Sequence, residues 1–87
     1  PGRGARYLID SDEISIGRDP SNDVFLDDIT VSRKHATLRK KSTFLVEDLN
    51  SLNGTYLNAN SISKSSLKNG DEVQIGKFRL TGESGEK

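Results

Sequence analysis

The apolar residues of this 87-residue chain recur at spacing two, in short runs that are separated by turn signals. The pairs at this spacing are Ile14 with Ile16, Val24 with Leu26, Ala36 with Leu38, Phe44 with Val46, Val73 with Ile75, and Phe78 with Leu80. Such alternation is typical of strands that bury one face. The turn signals are RDPSND at 18–23, LNSLNGT at 49–55 and KNGDE at 68–72, and the last two contain Asn-Gly, which favours tight turns. The pattern predicts an all-β chain that folds as an antiparallel sandwich of two sheets.

Length and composition limit the chain to one small domain. Hydrophobic residues make up 31% and charged residues 30% of the chain, which favours a thin, strand-built core. Thirteen Lys and Arg balance thirteen Asp and Glu, so no global field draws the protein to nucleic acid or to an anionic membrane. The lack of cysteine predicts a reduced, cytoplasmic protein. The chain also shows neither a long apolar run nor the apolar core of a signal peptide.

The basic segment SRKHATLRKK at 32–41 has two interpretations. Ser32 could cap a helix that presents cations to a DNA groove, which would make the chain a nucleic-acid-binding protein through Arg33–Lys41. The β-branched Thr37 and the spacing of Ala36 and Leu38 favour a strand instead, with the cations at 39–41 in a solvated hairpin. The polar segment at 58–66 predicts a loop or an edge hairpin anchored by Ile62.

Enzymatic motifs are missing from the sequence. It contains neither a phosphate-binding loop of an enzyme nor a nucleophile elbow, and it has a single histidine. The segment Asp48–Gly54 resembles a calcium loop only faintly, because its ligand spacing is shifted and no glutamate closes it. The sequence therefore predicts a non-enzymatic protein without a cofactor or a metal.

Three polar clusters remain, at 17–18, 32–35 and 50–55, and all fall in loops or at strand ends. Loops from one end of a sandwich meet at one apex, so distant clusters can face one ligand. Arginine, serine and glycine-containing turns offer donors to an anion, and an asparagine amide can bond a passing peptide backbone. The combination predicts a receptor for a phosphate that is carried on a peptide.

The succession G-R, S-x-x-H and N-S-x-N-G-T resembles the forkhead-associated (FHA) domain, a phosphothreonine-binding β-sandwich of roughly eleven strands. The segments DVFLDDITVSRKHA, SLNGTYLN and NGDEVQIGKFRL are further similar to small actinobacterial FHA regulators of 2-oxoglutarate and glutamate metabolism. The resemblance runs from about Tyr7 to Leu80, which predicts a single domain over 1–87 with a core at about 7–80 and flexible ends.

The resemblance implies a role for each cluster. Phosphate and peptide contacts fall to Arg18, Ser32, Arg33, Leu52 through its backbone N–H, and Asn53. Structural support of the site falls to Gly17, His35, Asn50 and Gly54. Simpler interpretations stay open for some of these residues: Arg18 could pair with a neighbouring aspartate, Ser32 could cap a turn, and Arg33 could be a solvated surface charge.

The resemblance also implies partners. They are phosphothreonine-containing proteins, a serine/threonine kinase, 2-oxoglutarate dehydrogenase and glutamate dehydrogenase. Phosphorylation of an N-terminal tail would make that tail occupy its own domain and release the enzymes. Nucleic acid and membrane are not expected as partners. A phospho-independent interaction surface is a further alternative.

Overall fold

The computed structural model describes residues 12–40 and 43–81, and within these ranges the chain forms nine strands and no helix. One sheet has five strands in the order β2-β1-β3-β4-β7; they are β1 (Glu13–Gly17), β2 (Val24–Phe25), β3 (Ala36–Lys40), β4 (Phe44–Asp48) and β7 (Lys64–Leu67). The other has four in the order β6-β5-β8-β9; they are β5 (Thr55–Leu57), β6 (Asn60–Ile62), β8 (Glu72–Ile75) and β9 (Phe78–Thr81). The predicted all-β sandwich is confirmed, with nine strands in the described ranges rather than roughly eleven.

One strand pair departs from the predicted antiparallel pattern. Strands β1 and β2 run parallel, with Ile16 opposite Val24, whereas the other pairs are antiparallel. The loop between them doubles back because the Asp23 carboxylate accepts a hydrogen bond from the Ser15 N–H at 2.9 Å, and the Asp23 N–H donates to the Ser15 hydroxyl at 2.9 Å. Six residues, 18–23, are therefore enough to connect the two strands.

The core lies between the two sheets and is built from the residues that alternate along the strands. Its buried members are Ile14, Ile16, Val24, Leu26, Val31, Ala36, Val46, Val73 and Ile75. Partly buried side chains pack against them at Leu38, Leu57, Ile62, Leu67, Phe78 and Leu80. The spacing-two pattern therefore identified the strands that form the interior correctly.

The basic segment forms strand β3, as the β-branched residue and the apolar spacing predicted. Arg39 lies close to two carboxylates, with its Nε 3.5 Å from Glu13 and its Nη2 3.9 Å from Glu47. The Lys40 ammonium lies 5.5 Å from the centroid of the Phe44 ring. Two cations expected in a solvated hairpin are thus partly engaged by the sheet itself, and the third, Lys41, lies outside the described residues.

The predicted edge hairpin at 58–66 is split between the sheets. Strand β6 pairs with β5 at one edge, and after Ser63 the chain enters β7, which pairs with β4 in the other sheet. Ile62 packs against the core, as expected of an inward anchor. The segment thus joins the two sheets at neighbouring edges. In the described part of the chain, no helix has the length and apolar character that a membrane crossing requires.

Candidate functional site

Three loops meet at one end of the sandwich, and we call them together the apex: 18–23 between β1 and β2, 26–35 between β2 and β3, and 49–54 between β4 and β5. The Arg18 N–H donates to the Ser32 carbonyl at 2.9 Å. The Leu52 N–H donates to the Ser32 hydroxyl at 2.9 Å, and the Asn53 side-chain amide donates to the Thr30 carbonyl at 2.9 Å. The fold thereby brings the three polar clusters of the sequence into one place.

Two arginines face a cavity at the apex. Arg18 and Arg33, with Asp19 and Pro20, line a cavity of about 240 Å³. The Arg18 Nε–H donates to the Val31 carbonyl at 2.9 Å, which orients the guanidinium and uses only one of its five N–H donors. A hydrogen bond from the Ser21 N–H lowers the pKa of Asp19, so this carboxyl is ionised at neutral pH. Two guanidinium groups against one carboxylate leave the cavity suited to an anion of more than one charge.

The Ser32 hydroxyl lies at the junction of two loops. Its oxygen accepts the Leu52 N–H, so its own proton is the group that it can offer to a ligand. The Leu52 N–H, expected to serve the ligand directly, donates to Ser32 in this structure. The Leu52 side chain is 87% exposed, and the contribution of this residue to the apex geometry therefore comes from its backbone.

Asn53 is exposed and lines a second hollow, which is larger than the arginine cavity. This hollow has a volume of about 530 Å³. It is lined by Thr30, Asn53, Tyr56, Ala59, Gln74, Gly76 and Lys77. The sequence did not predict it, because it forms only where the turn between β8 and β9 approaches the apex.

His35 is fully buried beneath the apex. Its Nδ1 accepts a hydrogen bond from the Ser32 N–H at 3.0 Å, so Nε2 carries the proton and donates to the Gly54 carbonyl at 2.8 Å. The His35 N–H donates to the Ile16 carbonyl at 3.0 Å, and its carbonyl accepts the Leu49 N–H at 2.9 Å. One side chain and its backbone therefore connect strand β1 with two of the apex loops.

Asp48 organises the loop that carries Asn53, and the sequence analysis missed it. Its carboxylate accepts hydrogen bonds from the Ser51 hydroxyl, from the Ser51 N–H at 3.1 Å and from the Thr55 hydroxyl at 2.7 Å. The Ser51 hydroxyl oxygen accepts the Gly54 N–H at 3.0 Å. Burial raises the pKa of Asp48, but the hydrogen bonds from Ser51 and Thr55 outweigh it and hold that pKa below its usual range. The signal was an aspartate three residues before a serine, which is typical of a side-chain-capped turn.

Backbone conformation explains three of the residues expected to support the site. A Cβ on Gly17 would lie 2.0 Å from the Arg33 carbonyl oxygen, so only glycine allows β1 to pass beneath this loop. Asn50 and Gly54 adopt positive φ angles of 63° and 86°, which turn the loop at its two ends.

The buried Asn22 is a further residue that the sequence analysis missed. Its Nδ2 donates to the carbonyls of Asp19 and Arg33, both at 2.8 Å. It therefore ties the loop of Arg18 to the loop of Arg33. Its position in the polar run RDPSND gave no signal beyond a turn.

The described residues contain no group of three or more His, Cys, Asp or Glu side chains arranged to hold a metal ion.

Comparison with known proteins identifies related sequences. The sequence model of the FHA domain family matches residues 14–76. The chain is 54% identical over 81 residues to the glycogen accumulation regulator GarA of Mycolicibacterium smegmatis, covering 92% of this chain and 51% of that protein. It is 50% identical over 88 residues to the oxoglutarate dehydrogenase inhibitor of Corynebacterium jeikeium, covering 100% of this chain and 61% of that protein. The chain therefore spans about half to three fifths of the length of these relatives.

Solved structures show the same fold. One, from a structural and functional analysis of phosphothreonine-dependent FHA domain interactions, has a TM-score of 0.92 and 30% sequence identity, covering 99% of this chain and 91% of that chain. Another, the FHA domain of FhaA in complex with the intracellular domain of Rv3910, has a TM-score of 0.86 and 32% identity, covering 92% of this chain and 89% of that chain.

Proposed function

The chain belongs to the forkhead-associated (FHA) domain family, and from that membership we propose that its apex binds phosphothreonine-containing peptides. The observation that carries the proposal is the cavity of about 240 Å³ that Arg18 and Arg33 line. The Ser32 hydroxyl belongs to the residue before Arg33 in the same loop. A phosphate monoester carries nearly two negative charges at neutral pH and three acceptor oxygens. Guanidinium forks and a hydroxyl proton complement it.

In this proposal each residue of the apex has a separate task. Arg18, Ser32 and Arg33 bind the phosphate, and the amide of Asn53 bonds the main chain of the peptide. The Leu52 N–H sets the position of the Ser32 hydroxyl. Four residues support the site without touching the ligand: Gly17, His35, Asn50 and Gly54.

In this proposal the protein is a regulator rather than an enzyme, and it works without a cofactor. Two of its relatives are named for the regulation of glycogen accumulation and for the inhibition of oxoglutarate dehydrogenase. By analogy with the second of these, the apex binds and inhibits 2-oxoglutarate dehydrogenase. Glutamate dehydrogenase is proposed as a further partner from the resemblance of the sequence alone. A phosphothreonine made by a serine/threonine kinase in an N-terminal tail of the full-length protein competes for the same face. The cytoplasmic location stays a prediction from the sequence.

Nucleic-acid binding through Arg33–Lys41 is the rival function. Two observations weigh against it: the segment is a strand rather than a helix, and Arg39 lies close to both Glu13 and Glu47. A salt series with duplex DNA distinguishes the two functions, because binding to phosphates of a duplex weakens steeply with salt.

Calorimetry at fixed salt tests the proposed function. The domain is titrated with a phosphothreonine peptide and with the same peptide unphosphorylated. We expect binding of the first only. Equal binding of both peptides would favour a phospho-independent surface, and binding of neither would remove the proposal.

A second experiment tests the proposed partner. The domain is added to 2-oxoglutarate dehydrogenase, and the phosphopeptide is then titrated while enzyme activity is measured. Because both ligands are proposed to use the apex, activity should return as the peptide binds. Inhibition that persists at saturating phosphopeptide would place the two ligands on different faces.

A further inference from the structure

Asn53 is an exposed side chain whose proposed task depends on one fixed orientation. Its Nδ2 donates to the Thr30 carbonyl at 2.9 Å. Because a carbonyl oxygen can only accept, this bond decides which end of the amide faces Thr30, and it leaves Oδ1 and the second N–H of Nδ2 for another partner. The position of the Thr30 carbonyl therefore sets the orientation of the Asn53 amide.

Thr30 is itself held by the carboxylate of Asp28. Asp28 Oδ2 accepts a hydrogen bond from the Thr30 N–H at 2.9 Å and a second from the Thr30 hydroxyl. The Lys77 ammonium lies 3.1 Å from Asp28 Oδ1. The hydrogen bonds from Thr30, followed by that from Lys77, lower the pKa of Asp28 to about 2, so the carboxylate is charged at neutral pH.

The turn between β8 and β9 holds Thr30 from the other sheet. The Lys77 N–H donates to the Thr30 hydroxyl oxygen at 3.0 Å. At Gly76, which has a φ of 62°, a Cβ would lie 2.5 Å from that same oxygen. Thr30 is thus enclosed between a loop of one sheet and a turn of the other, with its carbonyl directed at Asn53.

We infer that Asp28 and Thr30 are positioning residues that fix the Asn53 amide for a bound peptide, although neither is assigned a contact with the ligand. The inference rests on the proposed peptide site. This role would explain why the 26–35 loop is bonded to the turn between β8 and β9 in the other sheet. Its consequence is that peptide affinity depends on residues that do not face the phosphate cavity.

Two variants test the inference, Asp28→Asn and Thr30→Val. The first removes the charge of the carboxylate, and the second removes the threonine hydroxyl at constant shape. Each should weaken a phosphothreonine peptide about tenfold, the size of one lost hydrogen bond. Binding of the amino acid phosphothreonine, measured by NMR titration, should be unchanged, because it offers the phosphate without the flanking peptide backbone.

Asp71→Asn is a matched control for Asp28→Asn. Asp71 also holds a turn through its carboxylate, which accepts from the Lys68 N–H at 2.8 Å and from the Asn58 amide at 3.1 Å. Asp71 precedes strand β8, whereas Gly76, which lies against Thr30, follows it. Asp71 is therefore at the opposite end of β8 from Thr30. This variant should lose comparable stability and keep its peptide affinity.

A double-mutant cycle with Asn53→Ala decides whether Asp28 acts through Asn53. In the Asn53→Ala background the further change Asp28→Asn should have no effect on peptide affinity, because the amide that it positions is gone. Additive losses, or a peptide affinity of Asp28→Asn equal to that of the wild type, would overturn the inference. A wild-type domain that binds no phosphopeptide would instead remove the proposed function on which it rests.

Discussion

The proposed ligand-facing side of the apex, formed by Arg18, Ser32 and Arg33, and the floor beneath it, formed by His35 and Asp48, use their polar groups in opposite ways. On the ligand-facing side, Arg18 and Ser32 are half-buried and Arg33 is exposed, and each has donors beyond those that the fold uses. In the floor, both ring nitrogens of His35 are bonded, and the Asp48 carboxylate accepts three hydrogen bonds. Only two residues separate Ser32 from His35 in the chain, so a single short loop carries both kinds of polar group.

If the apex is the peptide site, this difference separates recognition from stability within one motif. A group that the fold leaves partly unsatisfied can be removed at little cost to folding, whereas a buried group that satisfies others leaves orphaned partners when it is removed. We therefore expect substitutions on the two sides to move different observables.

Replacement on the ligand-facing side should produce the largest loss of affinity. We expect Arg18→Ala to remove phosphopeptide binding, because each charge-assisted hydrogen bond is worth about 1.5 to 3 kcal/mol and a guanidinium can make two. The melting temperature should change little, since the fold uses the Arg18 side chain for one part-buried hydrogen bond, to the Val31 carbonyl. Calorimetry and thermal melts give the two values. Wild-type affinity in this variant would show that the cavity is not the phosphate site.

Replacement in the floor should have the reverse effect. His35→Ala orphans the Ser32 N–H and the Gly54 carbonyl, which costs about 1 to 3 kcal/mol of stability. The apparent affinity for the phosphopeptide should fall only because a smaller fraction of the protein is folded. It should therefore recover at a lower temperature, where more of the variant is folded. Circular dichroism melts measure the first effect, and calorimetry at two temperatures the second. An unchanged melting temperature with abolished binding would make His35 a ligand.

The sequence analysis named residues on both sides, and the residues that it missed have partners that come together only in the fold. Arginine, serine and histidine in a recognisable order indicate an anion site, and alternating apolar residues place the strands that carry it. Asp48 went unrecognised because its carboxylate also bonds the Thr55 hydroxyl, seven residues further along the chain. Asn22 went unrecognised because its amide bonds the Arg33 carbonyl, eleven residues away, which only the folded loops bring near. The role of Thr30 was likewise hidden, since its partners Asn53 and Lys77 are 23 and 47 residues away in the chain. The parallel β1–β2 pair was missed because its turn depends on one contact between Ser15 and Asp23.

Ser32 belongs to both sides and should show an intermediate result. Ser32→Ala removes a donor to the phosphate and the acceptor of the Leu52 N–H. The bond to the phosphate is one charge-assisted bond, whereas the Arg18 guanidinium can make two, and the bond to Leu52 is neutral and worth about 0.5 to 1.5 kcal/mol. Affinity should therefore fall less than in Arg18→Ala, and stability less than in His35→Ala. Paired calorimetry and thermal melts of the three variants test this ranking. A Ser32→Ala variant as weak as Arg18→Ala would move Ser32 wholly to the ligand-facing side.

Low pH should destabilise the floor of the apex, because it protonates Asp48. Because its pKa is lowered in the folded protein, the stabilisation that it provides is complete above the ordinary aspartate pKa of about 3.9 and is lost as the pH falls through the lower, folded value. The stability difference between the wild type and Asp48→Asn should therefore shrink as the pH falls below about 4. Denaturant titrations at several pH values measure it. A difference that stays constant in acid would mean that the carboxylate charge does not stabilise this loop.

The smallest expected effect comes from the methyl group of the bound phosphothreonine. It tests whether the proposed ligand-facing side packs against this methyl group or recognises charge alone. In the FHA family the threonine methyl fills a small apolar space between the loops. We expect the same here, where the bond between the Leu52 N–H and the Ser32 hydroxyl holds two of those loops together. Burying one methyl is worth about 0.8 kcal/mol, which corresponds to a preference of about fourfold for phosphothreonine over phosphoserine. Matched peptides that differ only in this residue, titrated into the wild type and into Ser32→Ala, test it: the preference should decrease in the variant as the two loops separate. Equal affinity of the two peptides for the wild type would mean that the ligand-facing side recognises charge alone, and that close packing is confined to the floor.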